Sequence, residues 1–341
     1  MYVRSFVGFV VLMTACLVSS ASFADNFERN IMTGGPSGTY IQFGRDIAAL
    51  GKSCGLNLNV VESAGSLENF SALRNRRNTQ FGIVQSDVLE YLKTYESADP
   101  EIQQAVRGVR IMLPLYNEEI HILSRKDIAD VRSLSGRRVA IGKVNSGTYL
   151  TASLMLDILG IKGAQRLEFS QDEALPMLER GEIDAFFYVA GAPASLFVKN
   201  TIDGSRFHLL PIRDEALMRT YTPTTIAAGT YSFQEQPVDL IAVKAVLMTF
   251  EYEPGRNAYH RESCHSVQNF SRLIVDGLER LQGEGHPKWK QVNLSALPPG
   301  WQVGTCVREG LDPSFEPTCA ATSAGGGNEQ YLDLLKQHLK P

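Results

Sequence analysis

The tetrapeptide Ser-Gly-Thr-Tyr occurs twice in this chain, at Ser37-Gly38-Thr39-Tyr40 and again at Ser146-Gly147-Thr148-Tyr149. Each copy follows a short apolar run of strand character and precedes an amphipathic run of helix character. A glycine-rich strand-to-helix turn leaves backbone N–H groups unpaired at the positive end of a helix, where an anion is held favourably. One such turn is weak evidence, because tight connections use Gly and Ser for steric reasons alone. Two, at matching places in a repeated layout, predict two lobes that close on one small anionic molecule.

The layout repeats in order. Asn30 to Thr33 reads as a strand, and Tyr40, Phe43, Gly44, Ile47 and Leu50 share a helix face that Gly51 would end. Leu56 to Val61 alternates as a strand, Ser63-Ala64-Gly65-Ser66 opens a second helix, and Phe81 to Val84 is a buried strand with Gln85-Ser86-Asp87 at its carboxyl end. Val109 to Tyr116 and His121 to Ser124 carry the chain into a second lobe, where strand 138–142, a helix from Ser146, strand 167–169, helix 172–178 and strand 184–189 restart the pattern. Such alternation is a doubly wound parallel α/β fold, in which ligands bind beyond the carboxyl ends of the strands. The expected organisation is lobe I from 25–117 and 224–304, lobe II from 118–223, and a loop-like tail from 305–341 with a last helix near Tyr331 to Leu339. Thr224 to Tyr231 reads as the return crossing and Val238 to Phe250 as part of lobe I. Two crossover segments of this kind can absorb a hinge motion.

A length of 341 residues favours two domains. Residues 1–24 read as an export signal, with Arg4 as its charge, Phe6 to Val18 as its apolar stretch and Ser22-Phe23-Ala24 as its cleavage site. Met13-Thr14-Ala15-Cys16 loosely imitates a lipoprotein box, but the methionine and the apolar residues after Cys16 argue against it. Losing this segment takes the formal charge from −4 to −5. That balance, with Arg74 to Arg77 as the sole basic run at a helix end, excludes nucleic acid as a main partner. An exported chain with Cys54, Cys264, Cys306 and Cys319 predicts two disulfides of open connectivity.

No catalytic signature is present: Gly-x-Ser-x-Gly, His-Glu-x-x-His and a dinucleotide fingerprint are all missing. Gly51-Lys52-Ser53 lacks the upstream glycine of a phosphate loop, and His260, Cys264 and His265 lack a second ligand pair for zinc. Neither a metal nor a cofactor is expected.

The stretches 33–40, 65–69, 81–87, 136–142, 145–148, 181–187 and 228–231 together resemble the TAXI family, the exported solute receptors of TRAP transporters. The resemblance covers roughly residues 30 to 250. It implies a type II periplasmic-binding-protein fold, a periplasmic and monomeric protein, a membrane permease as partner, and ligands such as glutamate, glutamine or related carboxylates. Carried over by position, the expected contacts are Ser37, Gly38, Thr39, Tyr40, Ser66, Gln85, Asp87, Asn145, Ser146, Gly147, Thr148 and Gly191. Asp87 or Glu62 would meet an ammonium group. A ligand-sensing subunit for a membrane sensor and an exported hydrolase are the alternatives, the last lacking any nucleophile–base pair.

Overall fold

The computed structural model describes residues 27–36 and 38–318. The export signal with Cys16, Ser37, Cys319 and the helix expected near the end lie outside the described residues.

The first half opens with β1 (Asn30–Met32), α1 (Thr39–Ser53), β2 (Asn59–Val61), α2 (Ser66–Asn75) and β3 (Thr79–Gln85). The three strands are parallel, with β1 between β2 and β3. Asn69, fully buried on α2, welds their carboxyl ends together: its Nδ2 donates to the Thr33 carbonyl at 2.5 Å and to the Ile83 carbonyl at 2.7 Å. Next come α3 (Val88–Tyr95) and α4 (Pro100–Gly108), the latter started by Asp99, whose carboxylate accepts from the Glu101 and Ile102 N–H groups. Then β4 (Val109–Arg125) runs for 17 residues, almost all buried, with Asn117-Glu118-Glu119 between its two apolar stretches.

The second half repeats the order with β5 (Arg138–Ala140), α5 (Gly147–Ile158), β6 (Gln165–Leu167), α6 (Gln171–Glu179) and β7 (Ala185–Ala190). Here too the three strands are parallel, with β5 in the middle. The chain continues through α7 (Ser195–Lys199), β8 (Phe207–Leu209), α8 (Glu215–Met218) and β9 (Thr222–Ile226) into β10 (Val238–Phe250).

The strand order β2-β1-β3-β10-β4-β7-β5-β6 sets the two parallel triplets on either side of an antiparallel pair, β4 and β10. Two separate cores flank that pair. On β4, residues up to Tyr116 belong to the first core and residues from Ile120 to the second; on β10 the change falls between Val243 and Ala245. This is the doubly wound, two-lobed α/β fold with two crossovers. One detail departs from expectation. The return crossing is β10 itself, which pairs with β9 at its start and with β3 at its end, so residues 224–243 go with the second core rather than the first. A mostly apolar run whose charges are Asp239 and Lys244 reads the same in either half, so its period does not assign it to one lobe.

Three further helices close the first core: α9 (Ala258–Asp276), α10 (Leu278–Glu284) and α11 (Thr305–Gly310). Between the last two, Trp289 is fully buried, stacked on Phe43 at 4.2 Å with its Nε1 donating to Asp46. The tail from Thr305 is not wholly loop-like. Its six-residue α11 is too short to show a period, but it packs on α9 so closely that Gly310 lies against the Gln268 backbone. A disulfide joins Cys264 to Cys306 across this contact, and Cys54 is disulfide-bonded as well.

Candidate functional site

Each half presents the carboxyl ends of its parallel strands, and the helix N-termini that follow them, to the other half. Between β1 and α1, the Gly38 N–H closes a turn onto the Gly35 carbonyl, and among the described residues no side chain accepts from the first N–H groups of α1. Between β5 and α5, the Ser146 hydroxyl accepts from the Tyr149 N–H at 3.1 Å. Gly142 holds this turn at φ +99°, and a Cβ there would sit 2.8 Å from the Tyr149 nitrogen, so only glycine fits. The N–H groups of Thr39, Tyr40, Gly147 and Thr148 have no hydrogen-bond partner among the described residues, and all four residues line the cleft.

Two more helix N-termini complete the ring. That of α6 exposes Gln171 and Asp172, behind a capping box in which Ser170 and Glu173 bond reciprocally. That of α2 is already filled. The Asn145 carbonyl of the other half accepts from the Leu67 N–H at 3.2 Å and the Glu68 N–H at 3.4 Å, from a residue held at φ +70°. The halves touch here. Ser66 and Gln85 approach Gly147 so closely that a Cβ at 147 would meet Gln85 Oε1 at 2.2 Å and Ser66 Oγ at 2.8 Å.

The cleft, open at one side to solvent, measures about 450 Å³, the size of a small-metabolite site. Of the residues expected there, Gly38, Thr39, Tyr40, Ser66, Gln85, Ser146, Gly147 and Thr148 line it. The Thr148 hydroxyl also accepts from the buried Val189 N–H at 3.1 Å, so it holds β7 in place as well as facing the cleft. Ser37 lies outside the described residues. Asn145, Asp87 and Gly191 are not among the lining residues. Asn145 is exposed and works through its carbonyl on α2. Gly191 packs on Lys288 and Tyr116, where a Cβ would meet the Lys288 stem at 2.9 Å. Asp87 is buried behind the contact between the halves, its Oδ2 accepting from Thr151 Oγ1 at 2.8 Å and from the Tyr221 hydroxyl at 3.1 Å. Burial pushes its carboxyl up to about 7, against the pull of those two hydroxyls.

Sequence reasoning missed Glu118, Lys143, Gln171, Asp172 and Tyr188, which also line the cleft. The capping box at Ser170 was a legible signal for Gln171 and Asp172. Glu118 gave none, because an acid in an apolar strand reads as a solvated position.

Glu118 and Glu119 point to opposite faces of β4. Glu119 is fully matched: Lys288 Nζ donates to both its oxygens, at 2.8 and 2.9 Å, and the Ala192 N–H donates to Oε2 at 2.6 Å. Glu118 faces the cleft, 4% exposed, and accepts one bond, from the Tyr40 hydroxyl at 2.6 Å. Burial raises its carboxyl to about 8. Nearby, burial lowers His121 to about 4, leaving a neutral ring that donates from Nδ1 to the Tyr188 carbonyl and accepts from the Tyr231 hydroxyl at Nε2. Tyr231 in turn accepts from the Ala194 N–H, fixing the loop after β7. Among the described residues, the one His/Cys/Asp/Glu group at ligating distance is Cys264, Cys306 and Glu309, and its sulfurs are joined to each other.

Several solved structures are similar in arrangement. An amino acid ABC transporter substrate-binding protein from Streptococcus pneumoniae bound to L-arginine shares 14% identity over 78% of this chain and 92% of its own, with a TM-score of 0.41. An ArgBP mutant from T. maritima shares 12% over 73% and 93%, with a TM-score of 0.42. The periplasmic VFT2 domain of BvgS from Bordetella pertussis shares 15% over 72% and 92%, with a TM-score of 0.38. The profile of the NMT1-like family matches residues 31–260, which contain both glycine turns and both crossing strands. This protein belongs to the NMT1-like family.

Proposed function

We propose that this chain is an extracytoplasmic solute receptor that holds a small carboxylate between its two halves and delivers it to a membrane permease. The observation that carries the reading is the convergence of unpartnered N–H groups, Thr39 and Tyr40 from α1 with Gly147 and Thr148 from α5, on one cleft of about 450 Å³. Helix N-termini stabilise an anion by about 0.3–1 kcal/mol each at exposed sites and up to ~2 kcal/mol where partly buried. Two of them, from opposite halves, hold a carboxylate only when the halves are together. Binding energy therefore goes into closure, the state a permease would recognise.

The motifs at 33–40, 65–69, 81–87 and 145–148 favour a TAXI-type receptor serving a TRAP permease, and the export signal read at 1–24 favours a periplasmic location. Ser37, next to the α1 turn, stays among the proposed contacts. The test is isothermal titration of the mature protein with amino acids, dicarboxylates and simple anions. Saturable one-to-one binding without turnover supports the reading. Conversion of any probe to product contradicts it.

A further inference from the structure

Glu118 is a buried carboxyl with no cation beside it. Its Oε2 accepts from Tyr40, while Oε1 has no partner among the described residues and faces the cleft from the crossing strand β4. The one buried ammonium nearby, Lys288 Nζ, is held on the opposite face of β4 by Glu119, the Asn117 carbonyl and Gln291. Every other group around Glu118 is acidic or neutral: Tyr40 from α1, Tyr116 and Glu119 from its own strand, Tyr188 from β7 and Asp87 beyond β3. At the exposed mouth of the cleft, Glu62 and Asp172 outnumber Lys143. A buried carboxylate is stable only when paired and is otherwise kept protonated.

Resting on the receptor reading above, we propose that Glu118 is the recognition group for a protonated nitrogen on the ligand, and that the incoming cation displaces the carboxyl proton, which leaves to solvent. The ligand then carries both charges, its carboxylate at the helix N-termini and its nitrogen at Glu118. With the carboxyl raised to about 8 in the free protein, loading below that pH releases a proton. Affinity falls about tenfold for each unit of pH below 8. A hydroxyl in place of the nitrogen finds no charge to pair with and is rejected.

The experiment titrates L-glutamate, L-glutamine, L-alanine and 4-aminobutyrate against the mature protein. Each is set beside the analogue whose amino group is replaced by hydroxyl, in two buffers of different ionisation enthalpy at pH 6.5. The expected result is an amino compound that binds at least a hundredfold tighter than its hydroxy analogue, with a buffer-dependent enthalpy showing close to one proton released. Glu118→Gln, which keeps an acceptor for Tyr40, is expected to lose about a hundredfold in affinity without melting earlier. Equal binding of the hydroxy analogues or of a dicarboxylate by both proteins, or proton uptake on loading, overturns the role of Glu118 and leaves the receptor reading standing. No binding by any probe, with no small molecule released from the denatured protein, overturns both.

Discussion

Thr151 of the second half donates a hydrogen bond of 2.8 Å to the buried carboxyl of Asp87 in the first, alongside Tyr221 at 3.1 Å. The carboxyl is raised to about 7 chiefly by burial. An Asp in the unfolded chain titrates near 3.9. Between about pH 4 and 7 the folded protein therefore binds a proton that the unfolded chain has lost, and stability falls as pH rises through that window. Asp87→Asn keeps an acceptor for both hydroxyls and cannot ionise. Its unfolding free energy relative to wild type should be higher at pH 7.5 than at pH 4.5, by no more than a few kcal/mol. Parallel pH profiles for the two proteins would remove the ionisation of Asp87 from the account.

Lys288 and Glu119 form the most buried ion pair among the described residues, with side chains 3% and 10% exposed. It ties the turn at Pro287–Gln291 to the crossing strand, and through the Ala192 N–H to the second half. Removing one partner leaves a buried charge, so Lys288→Met should cost about 3–5 kcal/mol in urea unfolding. The double variant with Glu119→Gln should recover part of that loss. A double variant no better than the single would assign the cost to packing of the lysine stem.

The disulfide between Cys264 and Cys306 spans 42 positions and pins α11 to α9. Closing a loop of that length stabilises by about 4 kcal/mol in the chain-entropy treatment. Cys264→Ser should lower stability by roughly 2–4 kcal/mol while leaving the cleft intact, because both cysteines lie in the first core away from the lining residues. Unfolding midpoints and ligand titration check the two halves of this statement.

The turns were legible because their chemistry is local. Gly38, Ser146 and Gly147 could be placed at strand-to-helix junctions from the residues alone, and the structure sets them on the cleft wall. The repeated α/β order was legible for the same reason: apolar runs and glycine stops recur in sequence. What was not legible depends on which face a residue takes in three dimensions. Asp87 sits two residues after Gln85, yet only Gln85 reaches the cleft, because the chain turns into α3 between them. Glu118 and Glu119 are neighbours with opposite fates, decided by the pleat of β4 and by a lysine 169 positions away. The return crossing at Val243–Ala245 falls on Lys244, but a single charge in a mostly apolar strand does not by itself say that the strand passes from one core to the other there.

The central claim is that the turns of the two halves close together on one carboxylate. Gly147→Leu tests it most directly, because a side chain there must displace Gln85 and Ser66 before the halves can meet. The measurement is the melting shift of wild type and variant across a panel of small carboxylates. At a hundred times its dissociation constant a ligand adds about 2.7 kcal/mol of stability. The account predicts that shift in wild type and its loss in a Gly147→Leu protein whose unliganded melting temperature stays within a few degrees of wild type. An equal shift in both proteins would contradict it, since the carboxylate would then be held somewhere other than between the two turns.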